Sequence, residues 1–566
     1  MKKKSNEPTK TKSKMKKTMR FLSMAALALV GAVMTGCTND DNIIDEPQQP
    51  ASKSNVITLT TTVGFDDAAG TRALTSTGVK TFAVGETMAL CYWNTSDNWV
   101  KAVSNALKAG DIADGSKSAT FTFTLTDPKK SGPVVYIYPA AIVKEDGDVD
   151  NDALFNNQDG TLAKLASTFD YSFGNGSWDG ENLPSLTLEN QLAILAITLK
   201  DEAGANDITS SITGLTLSDG TYSYSVKRSA AAGPIYVAIR PTSSANIDIT
   251  ATDGTKNYTK TLTSKTYAAS NGYPVSWKMM QVATDLSTLT AAYTAQDGDI
   301  LTGTLGSNVK ISIADGASVT LKDVTINGVN DTSYKWAGIT CLGDATITLE
   351  GTNTVKGFDE DYPGIHVPEG KTLTINGTGS ASITASSNGY GAGIGGGNGV
   401  ACGNIVINGG TVTATGGEFA AGIGGGDNYL PCGNIVINGG TVTATGGYRG
   451  AGIGSSNYGS CGAITISGGT VTATGGGDGA GIGSGETGSF DAITISGGTV
   501  TATGLDEAAG IGGGLENRDC GTITIKSTVT KVTATKGSYA PYSIGAGNGG
   551  EGITVTIAAG ANVTQN

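Results

Sequence analysis

The C-terminal part of the chain repeats one short sequence at a nearly constant spacing. NIVINGGTVTATGG occurs at Asn404 and again at Asn434, and AITISGGTVTATG occurs at Ala463 and Ala492. A variant of AGIGGG follows each copy. Equivalent isoleucines are separated by 30, 29, 29 and 30 residues: Ile405, Ile435, Ile464, Ile493 and Ile523. A fixed period of this length predicts a solenoid, in which no coil can bury its apolar face without its neighbours.

Within one repeat, apolar and polar residues alternate, which is the pattern of β-strands. In AITISGGTVTATGG we expect Ile464 and Ile466 to point inward and Thr472 to point outward. Pairs of glycines interrupt the alternation, because glycine adopts the positive φ angles that a sharp corner needs. A short AGIG segment completes the circuit. Three strands and three corners in about 30 residues predict one coil of a parallel β-helix.

The predicted β-helix occupies residues 281–566. Looser copies at 309–329 and 345–355 precede the regular coils, as expected for the atypical coils at the end of a solenoid. The composition agrees with an all-β fold class, since 84 of the 566 residues are glycine and only 15% are charged. No helix-rich domain is expected.

The N-terminal segment is basic at its start and then apolar. Residues 1–20 carry nine Lys or Arg, and the uncharged apolar stretch 21–36 has the length of a signal-peptide core rather than of a membrane span. The stretch ends in MTGC, which is similar to a lipobox, the motif whose cysteine becomes the lipidated first residue of the mature chain. The acidic, Pro/Ser-rich residues that follow are typical of a flexible tether. The expected segments are a signal peptide (1–36), a lipid attachment site (Cys37) and a tether (37–53).

Removal of this leader makes the protein strongly acidic. The whole chain has a net charge of −13, whereas residues 37–566 hold 28 basic and 49 acidic residues, a net charge of −21. Such a surface repels nucleic acid and anionic lipid, so no nucleic-acid partner is expected. The leader predicts a lipid-anchored, surface-exposed protein of the bacterial outer membrane. The sequence leaves open a start at Met1 or Met15, and an uncleaved membrane anchor is the alternative to the lipid.

Four of the seven cysteines recur at one place in the repeat, just before the glycine that opens each coil. They are Cys402, Cys432, Cys461 and Cys520. Phe490 takes this place in the one copy that lacks cysteine, so we expect an inward apolar position. A disulfide between neighbouring coils is the alternative. No metal or other cofactor is expected, because the chain has no CxxC or Cys/His grouping.

Between the tether and the repeats, many short strands follow one another without a period. Examples are TMALCYW (87–93), PVVYIYPA (133–140), PIYVAIRP (234–241) and YPVSWKM (273–279). Gly, Asn and Asp turns separate the strands, which is typical of β-sandwiches. The length suits two sandwich domains, over residues 54–165 and 166–280.

A series of short motifs runs through this region in a fixed order. It begins with TRA at 71–73 and continues with FAVGETMAL, YIYPA, LENQLAILAITL, YVAIRP and a closing GYPVSWKM. The series resembles the fimbrillin family of surface lipoproteins. In that family two transthyretin-like sandwiches follow a lipidated leader. The resemblance also implies fimbrial subunits as partners and proteolytic processing after an arginine, here Arg72, for which an ordinary turn arginine is the alternative. Because the chain continues past residue 280, a place at the tip or anchor of a fimbrium fits better than one inside its stalk.

Catalysis is not expected from the β-helix. A lyase of this fold needs a basic residue beside calcium-binding carboxylates, and a hydrolase needs paired acids within about 10 Å. Residues 372–521 hold only two basic residues, Arg449 and Arg518, and their acids are scattered over the corners. The single histidine, His366, is expected to pack or to face solvent. A polysaccharide lyase or hydrolase is therefore the least favoured function.

Aromatic residues occur at the corners on both sides of the AGIGGG segment. They are Tyr390, Phe419 and Tyr448 before it, and Tyr429 and Tyr458 after it. Stacked coils are expected to bring them to one edge of the solenoid, where aromatic faces and polar neighbours can hold sugar rings. Such neighbours are Asn398, Asp427 and Asn457. The repeats also resemble surface β-helix repeats labelled carbohydrate-binding. The alternative is that these aromatics only cover the backbone of the corners.

A second surface competes with this edge. Thr411, Thr413, Thr415 and their copies predict a flat outward threonine face, a pattern that binds ice in some β-helices, but threonine also suits any solvent-facing strand. The sequence thus favours a lipid-anchored adhesin or carbohydrate-binding protein whose β-helix presents the binding face. The alternative is a fimbrial tip or anchor subunit whose β-helix is a structural spacer.

Overall fold

The computed structural model describes residues 54–65, 81–113, 115, 117–150, 155–165 and 171–566. The predicted lipid attachment at Cys37 and processing at Arg72 lie outside these residues. Nearly all regular structure is β, with sandwich sheets followed by a parallel solenoid of about nine turns, which confirms the predicted fold class. The described helices are Ala109–Asp111, Ala140–Ile142, Leu162–Lys164, Thr209–Ser211 and Leu286–Thr288. In the described part of the chain, no helix has the length and hydropathy needed to cross a bilayer.

The first sandwich contains a seven-stranded sheet. In spatial order its strands are Trp99–Val103, Ala89–Trp93, Gly132–Tyr138, Ser172–Trp178, Leu186–Asn190, Val56–Phe65 and Ser118–Thr126. Alternation explains their burial, because Phe121, Phe123 and Leu125 in SATFTFTLT are fully buried and the threonines between them are not. The sheet continues past residue 165, where the sequence suggested a boundary. The reason is backbone pairing, since Phe173 lies opposite Ile137 in an antiparallel ladder.

The second sandwich packs a five-stranded sheet on a three-stranded one, with Leu217 and Val237 in their shared core. The strands of the five-stranded sheet are Ser223–Lys227, Gly214–Ser218, Thr242–Thr252, Asn257–Tyr267 and Met280–Gln281. The strands of the three-stranded sheet are Ile235–Ile239, Ala193–Lys200 and Gly272–Lys278. Phe155 and Leu165 also belong to this core, so the chain enters the second sandwich before it returns to the first sheet.

In the solenoid, each regular coil adds a strand to three parallel stacks. The first stack is Thr284–Asp285, Ile300–Thr304, Ala317–Ile326, Ala345–Glu350, Thr372–Gly377, Asn404–Ile407, Ile435–Ile437, Ile464–Ile466, Ala492–Ile495, Thr522–Ile525 and Thr554–Ile557. The second is Thr352–Lys356, Ser382–Ser386, Thr411–Thr415, Thr441–Thr445, Thr470–Thr474, Thr499–Thr503, Lys531–Thr535 and Val563–Gln565. The third is Tyr293–Ala295, Ile311–Ile313, Ile339–Cys341, Ile365–His366, Ile394–Gly395, Ile423–Gly424, Ile453–Gly454, Ile482–Gly483, Ile511–Gly512 and Ile544–Gly545.

Equivalent residues of successive coils lie in register. Ile464 pairs with Ile435 on one side and with Ile493 on the other. Ile464 and Ile466 are fully buried and Thr472 is exposed, as the alternation predicted. At the corner between the first two strands, the second glycine of the Gly-Gly pair has a left-handed φ, 82° at Gly469. The core is therefore a set of columns of like residues.

Three coils contain a short fourth strand that the sequence did not indicate. These strands are Pro431–Cys432, Ser460–Cys461 and Ser489–Phe490. Cys432 lies in register between Cys402 and Cys461, and all six described cysteines are free and buried. Burial raises the pKa of Cys520 to about 11, so its thiol stays protonated at neutral pH. The structure therefore contains a ladder of buried thiols, in which the cysteines of successive coils lie in register at this corner.

Candidate functional site

The corners before and after each third strand meet at one edge of the solenoid. The backbone N–H of Asn457 donates to the carbonyl of Phe419 at 3.0 Å, and the N–H of Glu486 donates to the carbonyl of Arg449 at 2.9 Å. Each bond joins the second corner of one coil to the first corner of the coil before it. We call the resulting surface the corner strip. It consists of an entry column (Tyr390, Phe419, Arg449, Asp478, Glu507), a polar column (Asn398, Asp427, Asn457, Glu486) and a turn column (Gly399, Tyr429, Tyr458, Thr487, Glu516, Gly549).

Two aromatic rings and a guanidinium are stacked in the entry column. The rings of Tyr390 and Phe419 are parallel within 3°, with centroids 5.8 Å apart. The guanidinium carbon of Arg449 lies 5.4 Å from the centroid of Phe419 on the next coil. A cation over an aromatic face contributes about 0.5–1 kcal/mol at a partly exposed site. These contacts hold the side chains of three successive coils along one line.

The turn column holds its residues in a conformation that glycine favours. Tyr458 is the third residue of a four-residue turn, closed by the N–H of Gly459 donating to the carbonyl of Ser456 at 3.2 Å. Its φ is 53°, and that of Tyr429 is 65°. Every other member of the column also has a positive φ, and glycine stands at both ends: Gly399, Thr487, Glu516 and Gly549. A side chain in this region costs about 1–2 kcal/mol, so two large rings are placed here against the local preference of the backbone.

The two tyrosines of the turn column are stacked and exposed. Their ring centroids are 4.8 Å apart with an angle of 30° between the planes. The exposed fraction is 65% for Tyr429 and 39% for Tyr458. Stacking fixes the orientation of both rings while their edges remain open to solvent. The rings therefore form a rigid aromatic ledge along the corner strip.

The polar column runs between the two aromatic columns. Asn457 is joined to Phe419 by the backbone hydrogen bond on one side and precedes Tyr458 in the chain on the other. This residue is only 8% exposed, and its Oδ1 atom has no hydrogen-bond partner among the described residues. In the neighbouring coil, Arg449 Nε lies 3.0 Å from Glu486 Oε2. Amide and carboxylate groups thus lie between aromatic rings, an arrangement that can bind both the faces and the hydroxyls of a sugar.

The charge of the corner strip is predominantly negative. Burial raises the pKa of Asp427, Asp478 and Glu486, and the positive charge of Arg449 opposes the shift at all three. Arg449 is the only cation among the members of the three columns. An acidic surface of this kind disfavours anionic ligands such as uronic acids.

The structure brings together four of the five predicted aromatics as two stacked pairs, Tyr390 with Phe419 and Tyr429 with Tyr458. Tyr448 is 54% exposed and stands apart, one position out of register with Phe419. Its ring lies over Gly477, where an added Cβ would be 2.6 Å from the ring. The sequence did not single out Arg449 and Glu486 for binding. Alignment of the repeats residue by residue places Arg449 directly after Phe419 in the column.

The repeats of the solenoid are similar to a known repeat family. The Beta helix repeat family matches residues 405–427, 435–457, 464–486 and 493–515. A fimbrial assembly protein from Parabacteroides distasonis is 10% identical, covering 40% of this chain and 92% of its own, with a TM-score of 0.22. A candidate cell adhesion protein from Bacteroides uniformis is 13% identical, covering 40% of this chain and 97% of its own, with a TM-score of 0.22. No curated protein matches the chain.

Proposed function

We propose that the protein is a surface adhesin that binds glycans through the corner strip of its solenoid. The observation that carries this proposal is the exposed stack of Tyr429 and Tyr458 at turn positions that favour glycine. The stability of the coil does not explain large apolar rings at a strained, solvent-facing position, so a binding role is the better explanation. Sugar rings fit this role, because their apolar faces stack on aromatic rings while their hydroxyls bind amides and carboxylates.

The remaining features of the proposal concern anchoring and assembly. A lipid on Cys37 would hold the protein at the outer membrane. Partner fimbrial subunits and processing at Arg72 belong to the same proposal, by resemblance to the fimbrillins. The protein acts by binding and not by catalysis. Cys37→Ser should remove the protein from the outer-membrane fraction, and persistent labelling of this variant with radioactive palmitate would contradict the anchor.

Binding of the purified full-length protein to a broad glycan array tests the function. Tyr429→Gly combined with Tyr458→Gly removes both rings and keeps the backbone conformation. This double variant should lose about 1–3 kcal/mol of binding free energy, or about 5- to 150-fold in Kd. Its melting temperature should not fall, because glycine relieves the strain of the left-handed turn.

The matched control is Thr443→Ala combined with Thr472→Ala on the flat threonine face, where both side chains are exposed. It should bind as the unmodified protein does. Loss of binding in this control alone would place the ligand on the threonine face. If the array shows no bound glycan at all, the proposal is wrong and the solenoid serves as a spacer.

A further inference from the structure

The turn column ends in an empty position at Gly399. This glycine has a φ of 64°. It lies three residues before Cys402, as Tyr429 lies three residues before the paired Cys432, and its own N–H donates to the carbonyl of Asp427, two residues before Tyr429, in a corner that is one residue longer. A Cβ added to Gly399 would have no neighbour within 4 Å. In the preceding coil, the N–H of Lys371 donates to the carbonyl of Pro368 at 3.1 Å and closes a turn whose third residue is again a glycine, Gly370, with a φ of 70°. No ring therefore stands at this count in either of the two coils before Tyr429. The stack of rings therefore ends at Tyr429, and the space around Gly399 in the coil before it is open.

Exposure of the two tyrosines agrees with one uncovered ring face. Tyr458 has Tyr429 on one side and Thr487 on the other, and its exposed fraction is 39%. Tyr429 has a ring on one side only and is 65% exposed. The uncovered face of Tyr429 is the one opposite Tyr458, on the side of the preceding coil.

A chain of polar side chains runs beside the open face. Asn428 Nδ2 donates to Asn398 Oδ1 at 2.7 Å, and Asn398 Nδ2 donates to Asp361 Oδ1 at 2.6 Å. The backbone N–H of Asn428 donates to Asp427 Oδ1 at 2.7 Å. These bonds fix the Asn428 amide next to Tyr429. The Oδ1 atom of Asn428 accepts no hydrogen bond from the described residues and can receive a ligand hydroxyl.

We infer that one pyranose ring of a neutral glycan stacks on the face of Tyr429 opposite Tyr458 and hydrogen-bonds the amide of Asn428. This inference rests on the proposed function. The sugar takes the place that the next tyrosine of the stack would fill. Asp361 and Asp427 lie beside this place and disfavour a carboxylate or sulfate on the ligand. The bound sugar is therefore a neutral ring with one flat apolar face.

Filling the empty position tests this inference. Gly399→Tyr should place a further ring on the side of Tyr429 opposite Tyr458 and block the open face. Gly549→Tyr is the matched control, because it makes the same change at the other end of the column, where φ is 70°. The probes are cellohexaose, mannohexaose, chitohexaose and an oligogalacturonate of equal length, titrated into the full-length protein. Gly399→Tyr should weaken binding of a neutral hexasaccharide by about tenfold or more, and Gly549→Tyr should leave it within about twofold.

A second variant tests the polar contact. Asn428 has a φ of 83°, so Asn428→Gly removes the amide and keeps the backbone conformation. This variant should weaken binding by about three- to tenfold, the effect of one lost hydrogen bond, at an unchanged melting temperature.

The outcomes separate this inference from the proposed function. If the two tyrosine-to-glycine changes abolish glycan binding but Gly399→Tyr does not, the corner strip binds glycans elsewhere and the inference is wrong. The inference also fails if the oligogalacturonate binds more tightly than every neutral probe, or if no neutral probe binds. If no glycan binds on the broad array, the proposed function itself is wrong.

Discussion

The sandwiches and the solenoid are both β-structures, but they organise their contacts differently. In the first sandwich, Val56–Phe65 pairs antiparallel with Ser118–Thr126 and parallel with Leu186–Asn190, so one sheet joins segments more than 120 residues apart. In the solenoid, Ile464–Ile466 pairs only with its copies 29 residues away on either side. A sandwich is thus expected to fold as one unit, whereas a solenoid is a sum of neighbouring coils. The same substitution should have a local effect in one region and a domain-wide effect in the other.

A buried charge gives the largest test of this difference. Ile466 in the solenoid and Leu217 in the second sandwich are both fully buried, so an aspartate at either place leaves an unpaired buried carboxylate. Each change should lower the free energy of unfolding by about 3–5 kcal/mol. Hydrogen exchange should show loss of protection in the coils next to Ile466→Asp, but throughout the second sandwich for Leu217→Asp. Thr472→Asp, on the exposed face, should cost about 1 kcal/mol or less. Equal losses for Ile466→Asp and Thr472→Asp would contradict the assignment of faces.

Glycine-to-alanine substitutions test how closely backbone segments approach each other in the two regions. Gly454 and Gly254 have φ angles of 138° and 99°, so alanine is strained at both. A Cβ at Gly454 would also lie 1.9 Å from the carbonyl oxygen of Gly483 on the next coil, whereas a Cβ at Gly254 would have no neighbour within 4 Å. Gly454→Ala should therefore cost about 2–4 kcal/mol and Gly254→Ala about 1–2 kcal/mol, measured by urea unfolding. A larger loss at Gly254 would show that the coils are not packed this closely.

Acid should destabilise the solenoid through the only histidine of the chain. Burial, together with the charge of Lys310, lowers the pKa of His366 from 6.5 to about 4. The unfolded chain then takes up a proton near pH 6.5 and the folded chain only near pH 4, so stability is full above the first value and is lost as the pH falls toward the second. The loss should reach roughly 1–3 kcal/mol by pH 4. His366→Gln should reduce this pH dependence in the solenoid, and an unchanged dependence would show that the histidine is not responsible.

The smallest effect is expected in the turn column. Thr487 has a φ of 52°, which is unfavourable for a β-branched residue, so Thr487→Gly should stabilise the protein by up to about 1 kcal/mol. Thr472 lies in an extended strand, where the same change to glycine should destabilise by about 0.5–1 kcal/mol. Opposite signs in urea unfolding would confirm that the column is held in the left-handed conformation. Destabilisation by both changes would contradict it.

Period and alternation are enough to predict the coil, because both depend only on spacing along the chain. They placed Ile464 inward and Thr472 outward, and they aligned Cys432 with Cys461. They also placed Asn457 among the polar neighbours of the aromatic edge. They did not predict its bond with Phe419, since this is a backbone hydrogen bond between two different corners of successive coils. The sandwiches have no period, so nothing in their sequence indicates that strands after residue 165 return to the first sheet.

Because each coil is joined to the next at equivalent residues, the solenoid can change in length one repeat at a time. Loss of residues 405–434, one repeat, would leave the register of the remaining strands unaltered. Gly399 would then precede Tyr458 in the turn column, so one ring would remain where two are stacked now, and Asn428 would be lost together with Tyr429. Repeat number would therefore set both how far the solenoid extends and how many rings the corner strip presents.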